Sequence, residues 1–263
     1  EWYMHIFSKK QPDLNMSNPK VREEVKDIMR FWLDMGVDGF REDVITYIAK
    51  ADGLPSAKIK LPAETGMQHY TNLPKVHDYL AEFKRDVLDF YDCFTVGEGP
   101  RMEPEVALSY VREGKDKVLD MMINFAHMEA DCFITDFLQR PFDLVKLKKA
   151  FTKWQTKMYG KGWNALYMEN HDHPRIISRY GSEKYRVESG KSIAASYLFQ
   201  RGTPFVYQGQ EIGMINTPLP SLDDYKDIMV KNNARIARSL GLSKETVLKL
   251  AQKASRDNAR TCM

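Results

Sequence analysis

Arg41, Asp43, Glu98, His171 and Asp172 stand at the ends of apolar runs. Carboxylates, a guanidinium and an imidazole are the side chains of acid–base and nucleophilic catalysis. The first group is the least expected: Phe40-Arg41-Glu42-Asp43-Val44 sets three charges into a stretch that otherwise reads as a buried strand. Residues two apart in a strand share a face, so Arg41 and Asp43 project together and Glu42 points the other way. Glu98 closes the run TVGE, and His171 and Asp172 close the run 164–172. Each alone has a structural reading: Asp43 as an ion pair with Arg41, Glu98 as a helix-start carboxylate, His171 as a satisfied loop histidine. Three strand ends with the same habit point instead to chemistry, because the C-terminal rim of a parallel barrel is where active sites are built.

The elements that must position these residues follow a helix-then-strand rhythm. Asn18 caps a helix with Pro19 at its first position, and Val21, Val25, Ile28, Met29 and Trp32 recur at helical spacing up to Gly36. The run 37–45 then reads as a strand. A second helix, through Val76, Tyr79, Leu80, Phe83 and Val87, leads into the strand 94–98. Runs 118–125, 164–172 and 203–211 are further strands, with helices over 144–158 and 189–199 between them. This alternation is the pattern of an α/β fold with a parallel sheet and helices outside it.

Composition bounds the partners. The 263 residues are 43% hydrophobic and 29% charged, as in a globular enzyme, and carry a net charge of +3 without like-charge blocks. Nothing in that balance points to nucleic acid or a membrane surface. Cys93, Cys132 and Cys262 have neither disulfide-framework nor metal-ligand spacing, which fits a cytoplasmic protein and no metal site on this segment. The opening EWYMHIFSKK has no secretory signal pattern, and both ends read as the interior of a longer polypeptide.

GFREDVI (39–45), TVGE (95–98) and ENHD (169–172), in that order, resemble the second, third and fourth short motifs of the α-amylase family of retaining glycoside hydrolases. QPDLN (11–15), GTPFVYQGQEIGM (202–214) and SRDNARTCM (255–263) resemble the branch that holds oligo-1,6-glucosidases, dextran glucosidases and trehalose-6-phosphate hydrolases. The resemblance implies a partial (β/α)8 TIM barrel, roughly its fourth to eighth strands, without the early strands and the C-terminal β domain. Residues 1–17 would end an inserted domain, 18–255 would form the second part of the barrel, and 256–263 would approach the missing domain.

It also implies roles. Asp43 is the expected nucleophile, Glu98 the general acid and base, and Asp172 the third carboxylate on the sugar. Arg41 would hold Asp43 ionised, and His171 and Arg260 would bind the non-reducing-end glucose. Val44 matches the preference for α-1,6-linked glucose, where α-1,4-specific relatives tend to have Thr or Ala. The implied activity is exo-acting hydrolysis of α-1,6-linked oligosaccharides or disaccharides through a covalent glucosyl-enzyme, with this segment alone inactive. Trehalose-6-phosphate hydrolase and sucrose isomerase are the alternative activities, and retention of the carboxylates argues against a non-catalytic barrel relative. No cofactor is implied here; a calcium loop, where relatives carry one, would lie upstream. Glu42 departs from the pattern, since relatives have an apolar residue there, and a charge facing the helix layer is costly unless paired.

Overall fold

A computed structural model of the chain describes residues 3–53, 55–57, 65–133 and 137–263. The first two residues of the segment 1–17 therefore lie outside the described residues. Two compact units are present, Glu1–Asn124 with Lys157–Trp163, and Phe125–Thr156 with Asn164–Met263.

The first unit begins with helix α1 (Pro19–Asp34), whose Asn18 side chain accepts from the Lys20 N–H. The cap and the proline start it where the sequence predicts. Its buried face differs from the apolar stripe: Lys26, Met29 and Leu33 are buried, whereas Ile28 and Trp32 are 57% and 46% exposed. Lys26 can turn inward because Glu23, Glu82 and Asp86 surround its ammonium at 2.7–3.1 Å. Strand β1 (Gly39–Glu42) follows, then α2 (Lys75–Asp86), β2 (Phe94–Glu98), α3 (Pro104–Val111) and β3 (Met121–Ile123). The three strands are parallel in the order β1-β2-β3, with Arg41 opposite Val96 and Glu98 opposite Ile123. Gly39 lets β1 lie this close to β2: at φ 146 its missing Cβ would overlap the Phe94 carbonyl oxygen. Val76, Leu80, Phe83, Val96, Leu108, Val111 and Leu119 are among the core residues of this unit.

The second unit holds α4 (Leu144–Met158) except Lys157 and Met158, then β4 (Ala165–Leu166), α5 (Ile176–Tyr180), α6 (Arg186–Leu198), β5 (Thr203–Pro204), α7 (Ile228–Ser239) and α8 (Lys244–Ala254). Strands β4 and β5 pair in parallel. Val230, Ala237, Val247 and Ala251 pack α7 on α8 around Phe137 and the fully buried Tyr225.

Strand β2 fills its predicted run, 94–98, but the other strands are shorter than theirs. The run 37–45 keeps only four strand residues and 164–172 only two, so Asp43, His171 and Asp172 lie beyond strand ends. Beyond β4, side chains rather than a ladder satisfy some of the backbone. The Asn170 side chain accepts from the Asp172 N–H, an Asx turn, and the Glu169 carboxylate takes the Ile176 N–H at 2.9 Å.

Candidate active site

In the first unit, β1 carries Arg41 and releases the chain at Glu42, so that Asp43 turns out of the ladder. Val44 is not a strand residue. It sits at φ 44, ψ 38, left-handed space that a β-branched side chain rarely occupies, and it opens the short turn Ile45–Tyr47. That strained step turns the chain directly after Asp43. Arg41 Nη1 donates to Asp43 Oδ1 at 2.6 Å, and Arg41 Nη2 donates to Glu98 Oε2. The expected Arg41–Asp43 pair is present, and the same guanidinium also holds Glu98. Their surroundings differ: the Asp43 side chain is 70% exposed and that of Glu98 only 9%.

Glu42 points away from this pair, as the alternation requires. Its Oε2 is buried with no hydrogen-bond partner among the described residues. Burial, with a smaller contribution from the Asp120 carboxylate, pushes its carboxyl up to about 8. A group in that state is protonated at neutral pH, which resolves the anomaly of a charge on this face: the charge is not carried.

In the second unit, Asp172 is the hub. Its Oδ1 accepts from Arg256 Nη1 at 3.0 Å and from Arg260 Nη2 at 3.1 Å, and its Oδ2 lies 3.1 Å from His171 Nε2. Arg260 also donates from Nε to the His171 carbonyl at 2.8 Å. The predicted trio His171, Asp172 and Arg260 is thus assembled. Arg256 is the member that sequence reasoning missed. Its signal was present, since it stands four residues before Arg260 in SRDNAR, and in the turn Arg256–Ala259 that spacing brings the two guanidinium groups to one carboxylate.

Behind the hub lies a buried charged layer. Glu169 accepts from Arg175 at 3.0 Å, and Asp131 holds Arg179 through two bonds of 2.6 and 2.9 Å. Arg179 Nη1 also approaches His173 Nδ1 at 3.2 Å. Burial holds the His127 imidazole down to about 3 and depresses His173 strongly, so both are neutral. Two carboxylates on one guanidinium in the first unit, and one carboxylate under two guanidinium groups and an imidazole in the second, are sets able to transfer protons, attack a carbon centre and hold hydroxyl groups. Among the described residues no group of three or more His, Cys, Asp or Glu could hold a metal ion, and no helix is long and apolar enough to cross a membrane.

Comparison with known proteins gives this arrangement a context. The family described as "Alpha amylase, catalytic domain" matches residues 1–263. The oligo-1,6-glucosidase of Parageobacillus thermoglucosidasius is 46% identical over 268 residues, covering 100% of this chain and 48% of that protein. The oligo-1,6-glucosidase of Bacillus cereus is 43% identical over 267 residues, with 100% and 48% covered. Among solved structures, the trehalose-6-phosphate hydrolase of Bacillus licheniformis superposes with a TM-score of 0.90 at 39% identity, over 98% of this chain and 46% of that one. An isomaltulose synthase mutant from Erwinia rhapontici NX5, in complex with D-glucose, gives 0.89 at 34% identity over 98% and 47%. The chain spans about half the length of the curated relatives it matches.

Proposed function

We propose a function from one premise: the chain belongs to the alpha-amylase catalytic-domain family, whose fold is the TIM barrel. The chain is the part of that barrel from roughly the fourth to the eighth strand, with residues 18–255 as barrel, 1–17 as the end of an inserted domain and 256–263 as the approach to a further one. Its full-length protein is a retaining, exo-acting α-glucosidase of carbohydrate metabolism that hydrolyses α-1,6-linked oligosaccharides or disaccharides. The observation that carries the reading is Arg41 bound to both Asp43 and Glu98.

Retaining glycosidases use two carboxyl groups about 5 to 5.5 Å apart. Asp43 attacks the anomeric carbon as the glycosidic bond breaks, and Glu98 gives its proton to the departing oxygen. Water then attacks the same carbon, returns a proton to Glu98 and frees Asp43. The bond from Arg41 Nη1 to Asp43 Oδ1 orients the nucleophile for its attack. The second bond of Arg41 orients Glu98, and that bond must give way when Glu98 carries the proton it donates. Asp172, with His171 and Arg260, binds the hydroxyl groups of the glucose ring as it distorts towards the oxocarbenium-like transition state. Val44 presents methyl groups beside the nucleophile and so offers no hydrogen bond to an α-1,4-linked sugar.

The protein is cytoplasmic on this reading, in keeping with three cysteines that form no disulfide. No cofactor acts through these residues, and any calcium belongs to the part of the protein upstream. The test is product analysis with the full-length protein on isomaltose, maltose, sucrose and trehalose 6-phosphate. Fastest glucose release from isomaltose, first as the α-anomer by NMR, is the expected result, and initial β-anomer would reject the retaining mechanism. The structural likeness to trehalose-6-phosphate hydrolase favours one second reading, which preferential cleavage of trehalose 6-phosphate would establish. Isomaltulose formed from sucrose would point instead to an isomerase. The 263-residue chain assayed alone should release no glucose.

A further inference from the structure

Arg256 spends its guanidinium in two directions. Nε and Nη2 donate to the two oxygens of Asp227 at 3.0 and 2.6 Å, and Nη1 donates to Asp172 Oδ1 at 3.0 Å. The paired contact with Asp227 is the bidentate geometry in which a planar guanidinium is held most firmly. Asp227 is itself fixed: its side chain is 3% exposed, its Oδ1 accepts the Met229 N–H at the start of α7, and its own N–H donates to Asp257 Oδ2 at 3.0 Å. Against the upward push of burial, the bonds from Arg256 hold the Asp227 carboxyl below its usual range. An unbroken chain of charge-assisted bonds therefore runs from the first turn of α7 through Asp227 and Arg256 to Asp172.

Arg260 touches the same oxygen of Asp172 under different conditions. Its side chain is 40% exposed, and its other bond goes to the His171 carbonyl, with no buried carboxylate behind it among the described residues. An ionised carboxylate offers about four acceptor positions. The two arginines and His171 occupy three of them, which leaves one on Oδ2 for a hydroxyl group.

We propose that Arg256 is the positioning residue that fixes Asp172, anchored by Asp227, and that Arg260 is the arginine of the pair that turns to the sugar. The inference rests on the reading above for the role of Asp172 and adds a division of labour between two arginines that look equivalent in the sequence. A fixed carboxylate matters because its bonds to the ring must strengthen as the ring distorts, and a misplacement of about 1 Å in such a site lowers the rate on the order of 10²-fold.

The test uses the full-length protein and steady-state kinetics on isomaltose. Arg256→Met should lower kcat about 10²-fold with KM within about twofold, and Arg256→Lys, which restores charge without the bidentate grip, should recover part of that loss. Arg260→Met should raise KM about tenfold or more, with the smaller effect on kcat. Asp227→Asn keeps an acceptor oxygen for the Met229 N–H and for one Arg256 nitrogen, so it preserves the fold if Arg256→Met does not. It should lower kcat about tenfold at unchanged KM. Arg256→Met or Asp227→Asn, folded by circular dichroism, with kcat within threefold of the parent overturns the proposal, as do identical kinetic patterns for Arg256→Met and Arg260→Met. An unmodified protein that releases no glucose from isomaltose removes the functional reading itself, a result distinct from either.

Discussion

In the first unit one arginine serves two carboxylates; in the second, two arginines serve one. Arg41 faces Asp43 and Glu98, so one guanidinium is shared between two acids. Asp172 faces Arg256, Arg260 and His171, which occupy most of its acceptor positions and hold it in place. On the proposed mechanism this is the needed difference, since Glu98 gives up and takes back a proton in each turnover while Asp172 only holds the sugar. Anchoring differs too. Arg256 is tied to a buried carboxylate, whereas the Arg41 side chain is 36% exposed and, among the described residues, has no anchor beyond the two acids it serves.

The sharpest break of this contrast is to remove the acids that one arginine serves. In the full-length protein, Asp43→Asn should abolish turnover of every glucoside, by on the order of 10³-fold or more. Glu98→Gln should cost ~10²–10⁴-fold on isomaltose, within the range of general acid catalysis, yet far less on an aryl glucoside whose leaving group needs no proton. Equal losses in the two variants on the aryl substrate would reverse or void the assignment.

Removing the shared cation comes next. Arg41→Met leaves Asp43 and Glu98 without the donor that orients both carboxylates. On isomaltose kcat/KM should therefore fall roughly 10- to 10³-fold. A variant within about threefold of the parent would mean that Arg41 is not needed to position either acid.

A third experiment contrasts the buried titratable groups of the two units. Glu42 has its folded value raised from 4.5 to about 8, so its contribution to stability is fully present below 4.5 and is lost as pH rises through 8. His127 has its value lowered from 6.5 to about 3, so stability from its neutral ring is present above 6.5 and is lost as pH falls towards 3. Between pH 6.5 and 8 the Glu42 slope stands alone of the two. Glu42→Gln should flatten the fall in thermal midpoint over that window, a change on the order of a few kcal/mol at most. A wild-type midpoint that does not fall from pH 6.5 to 8 would contradict a buried, protonated Glu42.

The smallest expected effect is at Val44. Val44→Thr adds a hydroxyl group beside the nucleophile at nearly constant shape, and should shift the maltose-to-isomaltose ratio of kcat/KM about tenfold towards maltose. An unchanged ratio would leave Val44 with only its backbone role, the left-handed step that turns the chain directly after Asp43.

Local pattern determined much of this protein. Asn18 and Pro19 start α1 where capping chemistry says they must, the apolar periodicity places α2 and α4, and the helix-then-strand rhythm predicts strands that do pair in parallel. The residue types of the site were also legible, because charged side chains at the ends of apolar runs are costly without a purpose. Tertiary structure decided the partnerships. Arg41 and Glu98 stand 57 residues apart and Arg256 and Asp172 stand 84 apart, and no local period encodes which of several arginines reaches which acid. The same holds for burial on α1, where Lys26 went inward and Trp32 stayed exposed because three acids from its own turn and from α2 could neutralise an ammonium there. Strand length was also a tertiary outcome: apolar runs mark what is buried, whereas a ladder needs a paired strand, and in the run 164–172 only Ala165 and Leu166 find one, in Thr203 and Pro204.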